Sequence, residues 1–496
     1  MMALIDAMRL NAPLLVVLAP LLACPIAALT PSGRAAWVVG VAGALGAATV
    51  AIAAASAFDG VQIYRLGGWP APFGVAFKID GLGAYALAVT SVIAALAMIA
   101  ALGALRADID RQRQPLAIAF VLAALTAANG LIVAADFFVL FAFLLWLWLA
   151  LAALIALGME SDRRAGPAAF DTLMLGAASA VLFAFGAGFV FLATGAVDLD
   201  IAAGVLNAAE HARSAAAGLA LMGLAAIVLA GLAPLNGWAL GAFARGPAFV
   251  SLALGAVTAL VGAVLAGRLI AFAASAAAPG LSLGVNMAMS VLGCVSVIAG
   301  SVQAMAARDF RRMIVNIAAV QAGCVLIGFS AASGAGIAGG LFHLANEAAA
   351  LLVLFCAAAA LSAGRGAVSL DVLDGLFRRA PFLSVVIAVT LLSLIGAPMT
   401  AGFLSRWSLL QATLEARIWW GAAAIILSSL AAVAYTGRVF GRMFLSAPAE
   451  GTRAKIASMA PALVLATAVT LAFGFSGSAA LSAAEAAAGS LSWGAP

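Results

Sequence analysis

The stretch Leu391–Gln411, LLSLIGAPMTAGFLSRWSLLQ, lies in an apolar run long enough to cross a bilayer, yet Gly396, Pro398 and Gly402 interrupt it and Arg406 follows one turn later. Proline removes an amide donor and clashes with the preceding turn, and nearby glycines let the backbone bend, so two half-helices are expected rather than one rod. At membrane depth a broken helix survives only where protein or a water-filled cavity satisfies the freed backbone groups. An arginine beside such a break marks a functional site by default.

The rest of the chain has the same character. Of 496 residues, 66% are hydrophobic and 9% charged, with a mean hydropathy of +1.20, whereas a soluble domain carries about 25% charge. Apolar runs of bilayer length recur from Pro13 to Phe475 without a polar block long enough to fold separately. The expectation is an all-α polytopic membrane protein, residues 1–496 forming a single membrane domain of about fourteen spans. The first run, Pro13–Leu29, is read as a retained helix rather than a secretory leader.

Charge placement gives an independent check. Seventeen of the 24 Lys and Arg residues fall in alternate loops, including Arg106, Arg111, Arg113, Arg308, Arg311 and Arg312. Positive loops stay on the cytoplasmic side, so an inner (cytoplasmic) membrane location with both termini on the non-cytoplasmic side is expected. The net charge of +5 lies in these loops, not in a stripe along one helix, which excludes nucleic acid as a partner. Cys24, Cys294, Cys324 and Cys356 sit inside apolar runs without CxxC spacing, and no Gly-rich nucleotide loop is present. Neither a cofactor nor a bound metal is expected, and no catalytic centre.

Two non-cytoplasmic connections have readable features. Phe58–Asp80 has Gly67, Gly68, Pro70 and Pro72 between aromatic-apolar runs, which suggests an extended hairpin with Trp69 at the interface. Val197–Arg213 reads as a short surface helix with His211 in a solvated cap. Asp80 and Asp136 precede apolar runs and are expected to cap helix N-termini. A second break, Gly231, Pro234 and Gly237 within LAGLAPLNGWALGAF, lies five spans before the first. Paired Pro/Gly interruptions are the mark of an internally repeated transporter.

Several stretches together resemble the antiporter-like membrane subunits of respiratory complex I and of Mrp-type multisubunit cation/proton antiporters, most of all the D-type member of the Mrp assembly. They are YRLGGWPAPFGVAFKIDGLGAYAL (64–87), DFFVLFAFLLW (136–146), APLNGWALGAF (233–243), RDFRRMIVNIAAVQAGCVLIG (308–328), LFHLANEAAALLVLF (341–355) and LIGAPMTAGFLSRW (394–407). The resemblance implies two inverted five-helix repeats, helices 4–8 over residues 115–273 and helices 9–13 over 285–445, with helices 7 and 12 broken. It also implies a relay of buried ionisable groups: a glutamate on helix 5, lysines on helices 7, 8 and 10–11, and a lysine or glutamate on helix 12.

The chain departs from that relay. Leu145 stands at the helix 5 glutamate position, and Leu229, Leu260 and Leu351 stand at the lysine positions. Glu347 replaces a usual histidine, Asn316 a usual tyrosine, and Arg406 the helix 12 lysine. A relay needs groups whose protonation changes at the operating pH, which burial gives lysine but not arginine. Leucine does not titrate. The remaining proton-pathway candidates are His343, Glu347 and Arg406, with Asn346, Gln321 and Asn316 beside them. His343 and Glu347 share one helix face at i,i+4, and Arg406 is expected either to set their local field or to neutralise Glu347 in an ion pair.

The expected role is that of a membrane subunit among other membrane subunits of a complex I/Mrp-type assembly, with partial proton translocation and a packing role. A redox-driven NADH-quinone oxidoreductase-like complex is one setting for it, the redox chemistry belonging to partners. Two rivals stand beside this reading: a fully active proton or Na+/H+ translocating subunit, and a stand-alone secondary transporter.

Overall fold

The computed structural model describes residues 10–56, 58–71, 74–160, 162–206, 212–276, 278–362, 368–448 and 457–489. His211 and Lys455 lie outside the described residues. Helices dominate: α1 (Ala12–Ala28), α2 (Gly33–Ser56), α3 (Gly81–Ala100), α4 (Gln114–Val133), α5 (Phe137–Ala156), α6 (Ala165–Thr194) and α7 (Ala212–Ala230). They continue with α8 (Ala248–Ser275), α9 (Pro279–Ala306), α10 (Phe310–Ser330), α11 (Gly334–Ser362), α12a (Pro381–Ile395), α12b (Ala401–Glu415), α13 (Trp419–Phe440), α14 (Ala460–Phe475) and α15 (Gly477–Gly489). Among the described residues eleven helices are each long and apolar enough to cross a membrane, while α1 and α12a, at 17 and 15 residues, are shorter.

The expected extended hairpin is present. Strands β1 (Gln62–Arg65) and β2 (Ala76–Ile79) pair antiparallel with Tyr64 opposite Phe77, and Trp69 at their turn is exposed. Asp80 and Asp136 cap α3 and α5 as expected, accepting from Gly83 N and Val139 N at 2.7 Å each. The expected surface helix covers Leu199–Val205.

Three rods form the interior. The spans of α8 and α10 are wholly buried and α11 nearly so, whereas most of α6 and α9 faces outward. Hydropathy does not distinguish α8 from α6, so burial follows position in the bundle, while close approach at small residues packs inner and outer helices alike. At Gly262 on α8 a Cβ would stand 2.3 Å from Ala230 N on α7, and Gly293 and Gly323 bring α9 against α10 in the same way. Without a hydrophobic force between helices in lipid, small residues supply the packing.

Both interruptions bend the chain. Helix α7 ends at Ala230, Gly231 takes φ +67°, and helix resumes at Gly237 to run through Arg245. Helix α12a ends at Ile395, and Gly396 (φ +89°) and Met399 (φ +66°) turn the chain before α12b. Gly402 then passes over the end of α12a so closely that a Cβ there would lie 1.7 Å from Ser393 O. The two backbones meet directly. Gly402→Ala is therefore expected to destabilise the protein by at least about 2 kcal/mol, since overpacking against backbone has no flexible side chain to move; thermal unfolding of the purified variant reads it.

One expectation is corrected. Arg311, counted above among loop arginines, is fully buried in the first turn of α10. Its Nη2 donates to Gly246 O at 2.7 Å and to Ser251 Oγ at 2.6 Å. The carbonyl freed where the helix after the α7 break ends supplies an acceptor that draws the guanidinium inward.

Arg442, just beyond α13, binds the Leu370–Leu373 turn by donating to Asp371 at 2.5 Å and Asp374 at 3.2 Å. Hydrogen bonds from Ser369 and Arg442 hold the Asp371 carboxyl below its ordinary range. A depressed acid contributes its stability above the unfolded pKa and loses it as pH falls through the folded one. The protection factors of amides in the Leu370–Leu373 turn, which are exchange rates corrected for the intrinsic pH dependence, are thus expected to be higher at neutral pH and to fall as pH drops below about 4. In Asp371→Asn they should lose that dependence.

Candidate functional site

The α12 break is closed by Arg406, whose residue is only 6% exposed. Its Nη2 donates to Leu394 O at 2.7 Å, satisfying a carbonyl at the end of α12a, and to Gln321 Oε1 at 3.1 Å. Its Nη1 donates to Ser428 Oγ on α13. One guanidinium fork therefore joins α10, both halves of α12 and α13. Because it can only donate, Arg406 also fixes the Gln321 amide with its oxygen inward.

That same oxygen faces His343 on α11. His343 Nε2 lies 3.0 Å from Gln321 Oε1, and Nδ1 lies 3.0 Å from Ser405 Oγ on α12b. An amide oxygen only accepts, so Nε2 carries a proton in this arrangement. Asn346 accepts from Ser393 Oγ at 2.9 Å, and Ser393 Oγ accepts from Gly402 N at 3.1 Å. The polar faces of α11 and the two half-helices thus close on one another.

Glu347 is 2% exposed, and neither carboxyl oxygen has a hydrogen-bond partner among the described residues. The ion pair with Arg406 is not formed: among the described residues no acid lies within 4.0 Å of that guanidinium, which three other acceptors already hold. Gln321 Nε2, Arg406 Nε and Tyr435 Oη are likewise buried and unpaired by protein groups. Tyr435 lies within electrostatic reach of Arg406 and Cys324, and Cys324 within reach of Glu347. Buried polar atoms left over in this number call for water, and a buried carboxyl calls for water or a proton.

The α7 break is closed differently. Trp238 Nε1 donates to Val228 O at 2.5 Å, and the indole packs edge-on against Trp148 with centroids 4.7 Å apart. Leu229, Leu260 and Leu351 are at most 2% exposed in the apolar core, and Leu145 is half-buried on α5. The hollow beside Leu229, lined by Trp238, Phe243, Thr258 and Phe355, measures about 20 Å³. Thr258 Oγ1 is spent on Leu254 O at 3.0 Å. Its lining is almost wholly apolar and offers a water few partners, although Trp148 Nε1 nearby is buried without a partner among the described residues.

Sequence reasoning named His343, Glu347, Arg406 and Gln321 but missed the Ser405 and Ser428 hydroxyls and the Leu394 carbonyl that organise them. Ser428 and Tyr435 stand at i,i+7 on α13, one face two turns apart, which was a readable signal. It also missed Arg268, 7% exposed on α8, whose Nη2 lies 3.5 Å from Asp80 Oδ1. At the mouth of the α7 break, Asn236 Nδ2 donates to Asn316 Oδ1 at 3.0 Å and Gln303 Oε1 at 3.3 Å.

Comparison with known proteins agrees with this architecture. The chain is 28% identical over 457 residues to NADH-quinone oxidoreductase subunit N of Desulforudis audaxviator, covering 90% of this chain and 89% of that protein. It is 24% identical over 388 residues to the D-type member of the Na(+)/H(+) antiporter of Bacillus subtilis, covering 78% and 76%. A chain in the structure of the Mrp complex from Dietzia sp. DQ12-45-1b superposes with a TM-score of 0.84 at 21% identity, covering 97% of each. Residues 111–431 match the family described as NADH:quinone oxidoreductase/Mrp antiporter, TM, and the chain belongs to that family.

Proposed function

We propose that the chain is an antiporter-like membrane subunit of a complex I/Mrp-type assembly in which proton handling is confined to the second half, around Glu347, His343 and Arg406, while the first half is a dry packing element. The reading counts fourteen spans, with the short α1 accommodated by local thinning of the bilayer and α12 crossing as two half-helices. It divides them into inverted repeats over 115–273 and 285–445. By the positive-inside argument both termini face away from the cytoplasm, and the arginine-rich face looks toward it.

The observation that carries the proposal is the contrast at equivalent depths. Glu347 on α11 is buried with both oxygens unpaired by protein, whereas Leu229 and Leu260 on α7 and α8 lie in close apolar packing. In this reading Glu347 and His343 take and release protons through water, and Arg406 supplies a constant field because guanidinium does not deprotonate. Any redox reaction belongs to partner subunits. The test is proton flux in vesicles carrying the assembled complex, wild type against Glu347→Gln. Unchanged flux would reduce the cluster to a structural role.

A further inference from the structure

On the arginine-rich face, two hollows of about 360 and 580 Å³ share Gly237, Leu240, Asp309 and Arg312 and so form one groove beneath the α7 break. Its rim carries Arg164, Arg245, Arg308 and Arg312. The acids nearby are occupied. Asp171 pairs with Arg245 at 3.2 Å, and Asp309 caps α10, accepting from Arg312 N at 2.9 Å and Val368 N at 2.7 Å. Among the described residues, Arg164, Arg308 and Arg312 make no ion pair, and the one carboxylate lining the hollows, Asp309, leaves the three guanidiniums with an excess of positive charge. The floor is apolar, from Leu240 and Ala244 to Ala306 and Ala307. Beside it, exposed Phe170 and Met174 on α6 and Leu235 at the break face outward at the level of the helix ends.

We propose that this groove binds an anionic phospholipid, its phosphodiester held by Arg164, Arg308 and Arg312 and an acyl chain laid over Leu240 and Ala244. The charge excess selects an anion, and basic pockets between helix ends are suited to headgroups. The apolar floor and the neighbouring exposed side chains select a lipid over a free phosphate. Occupancy would also brace the α7 break, because Asn236 and Asn316 line the inner end of the groove.

The test uses the full chain purified in neutral detergent, with native mass spectrometry reading retained phosphatidylglycerol against phosphatidylcholine. Wild type is expected to retain phosphatidylglycerol, and the triple variant Arg164→Gln/Arg308→Gln/Arg312→Gln to lose affinity of the order of a hundredfold. Arg34→Gln/Arg111→Gln, on the same face but outside the groove, should lose none. Equal retention by the triple variant, or equal loss in the control pair, overturns the site. Displacement of the lipid by millimolar inorganic phosphate overturns the lipid as its source. Should the triple variant fail to fold, phosphatidylglycerol with a photoreactive acyl chain decides in the unaltered protein: crosslinks near Leu240 and Ala244 support the groove, and crosslinks only elsewhere overturn it.

Discussion

Glu347→Gln is expected to lower the proton flux carried by this subunit by about a hundredfold or more, with the complex still assembled. Flux is read in vesicles against a complex lacking the subunit. Glutamine matches the shape of glutamate and can bind the same water, so packing on α11 is preserved. What it loses is the ability to take and release a proton, and positioned proton transfer contributes about 10²–10⁴-fold where it operates. Among the described residues no second carboxylate stands at a relay position: those on the first half are Leu145, half-buried on α5, and Leu229 and Leu260, both in the apolar core. Leu351, one turn along α11 from Glu347, is equally buried. His343 alone, held between Gln321 and Ser405, has no partner with which to exchange.

Arg406→Ala is expected to act on stability rather than on flux alone, costing about 2–5 kcal/mol, because buried acceptors that lose a donor cost about 1–3 kcal/mol each. The loss has three identifiable parts. Leu394 O at the end of α12a and Ser428 Oγ lose this donor, Gln321 Oε1 is left with His343 alone, and the space against Gly396 is left empty. Unsatisfied buried carbonyls each cost about 1–3 kcal/mol. Arg406→Lys should recover only part, because an ammonium on a flexible stem does not reproduce a planar fork that reaches three acceptors at once. Denaturant or thermal unfolding of the purified chain distinguishes the two variants. If Arg406→Ala unfolded like wild type, the guanidinium would not be what joins the half-helices.

Much of this architecture was legible in the sequence. Pro234, Pro398 and the glycines around them announce both breaks because their effects are local to the backbone, and Asp80 and Asp136 announce helix starts for the same reason. The hairpin at 62–79 followed from its turn residues. Side-chain partnerships were less legible. Helical spacing places His343 and Glu347 on one face, but it says nothing about which neighbouring helix each meets. His343 turns to α10 and α12b, and Arg406 takes the Leu394 carbonyl, an acceptor that exists only because the helix stops there. The expected Arg406–Glu347 pair gave way to that geometry. Arg311 shows the same limit from the other side: counting loop charges cannot reveal that a long side chain near a helix end points inward to Gly246. Nor does leucine at a relay position reveal what fills the space. The Trp148–Trp238 pair, which closes the first break with an indole where the second uses a guanidinium, emerges only from packing.

The central claim, a hydrated second half beside a dry first half, is tested most directly by an experimental density map of the assembled complex at a resolution that shows ordered water. The account predicts water bridging Glu347 to His343, Gln321 and Tyr435, and none in the hollow beside Leu229 and Thr258. A continuous file of water past Leu229 and Leu260, or a Glu347 side chain with no water within hydrogen-bonding distance, would contradict it.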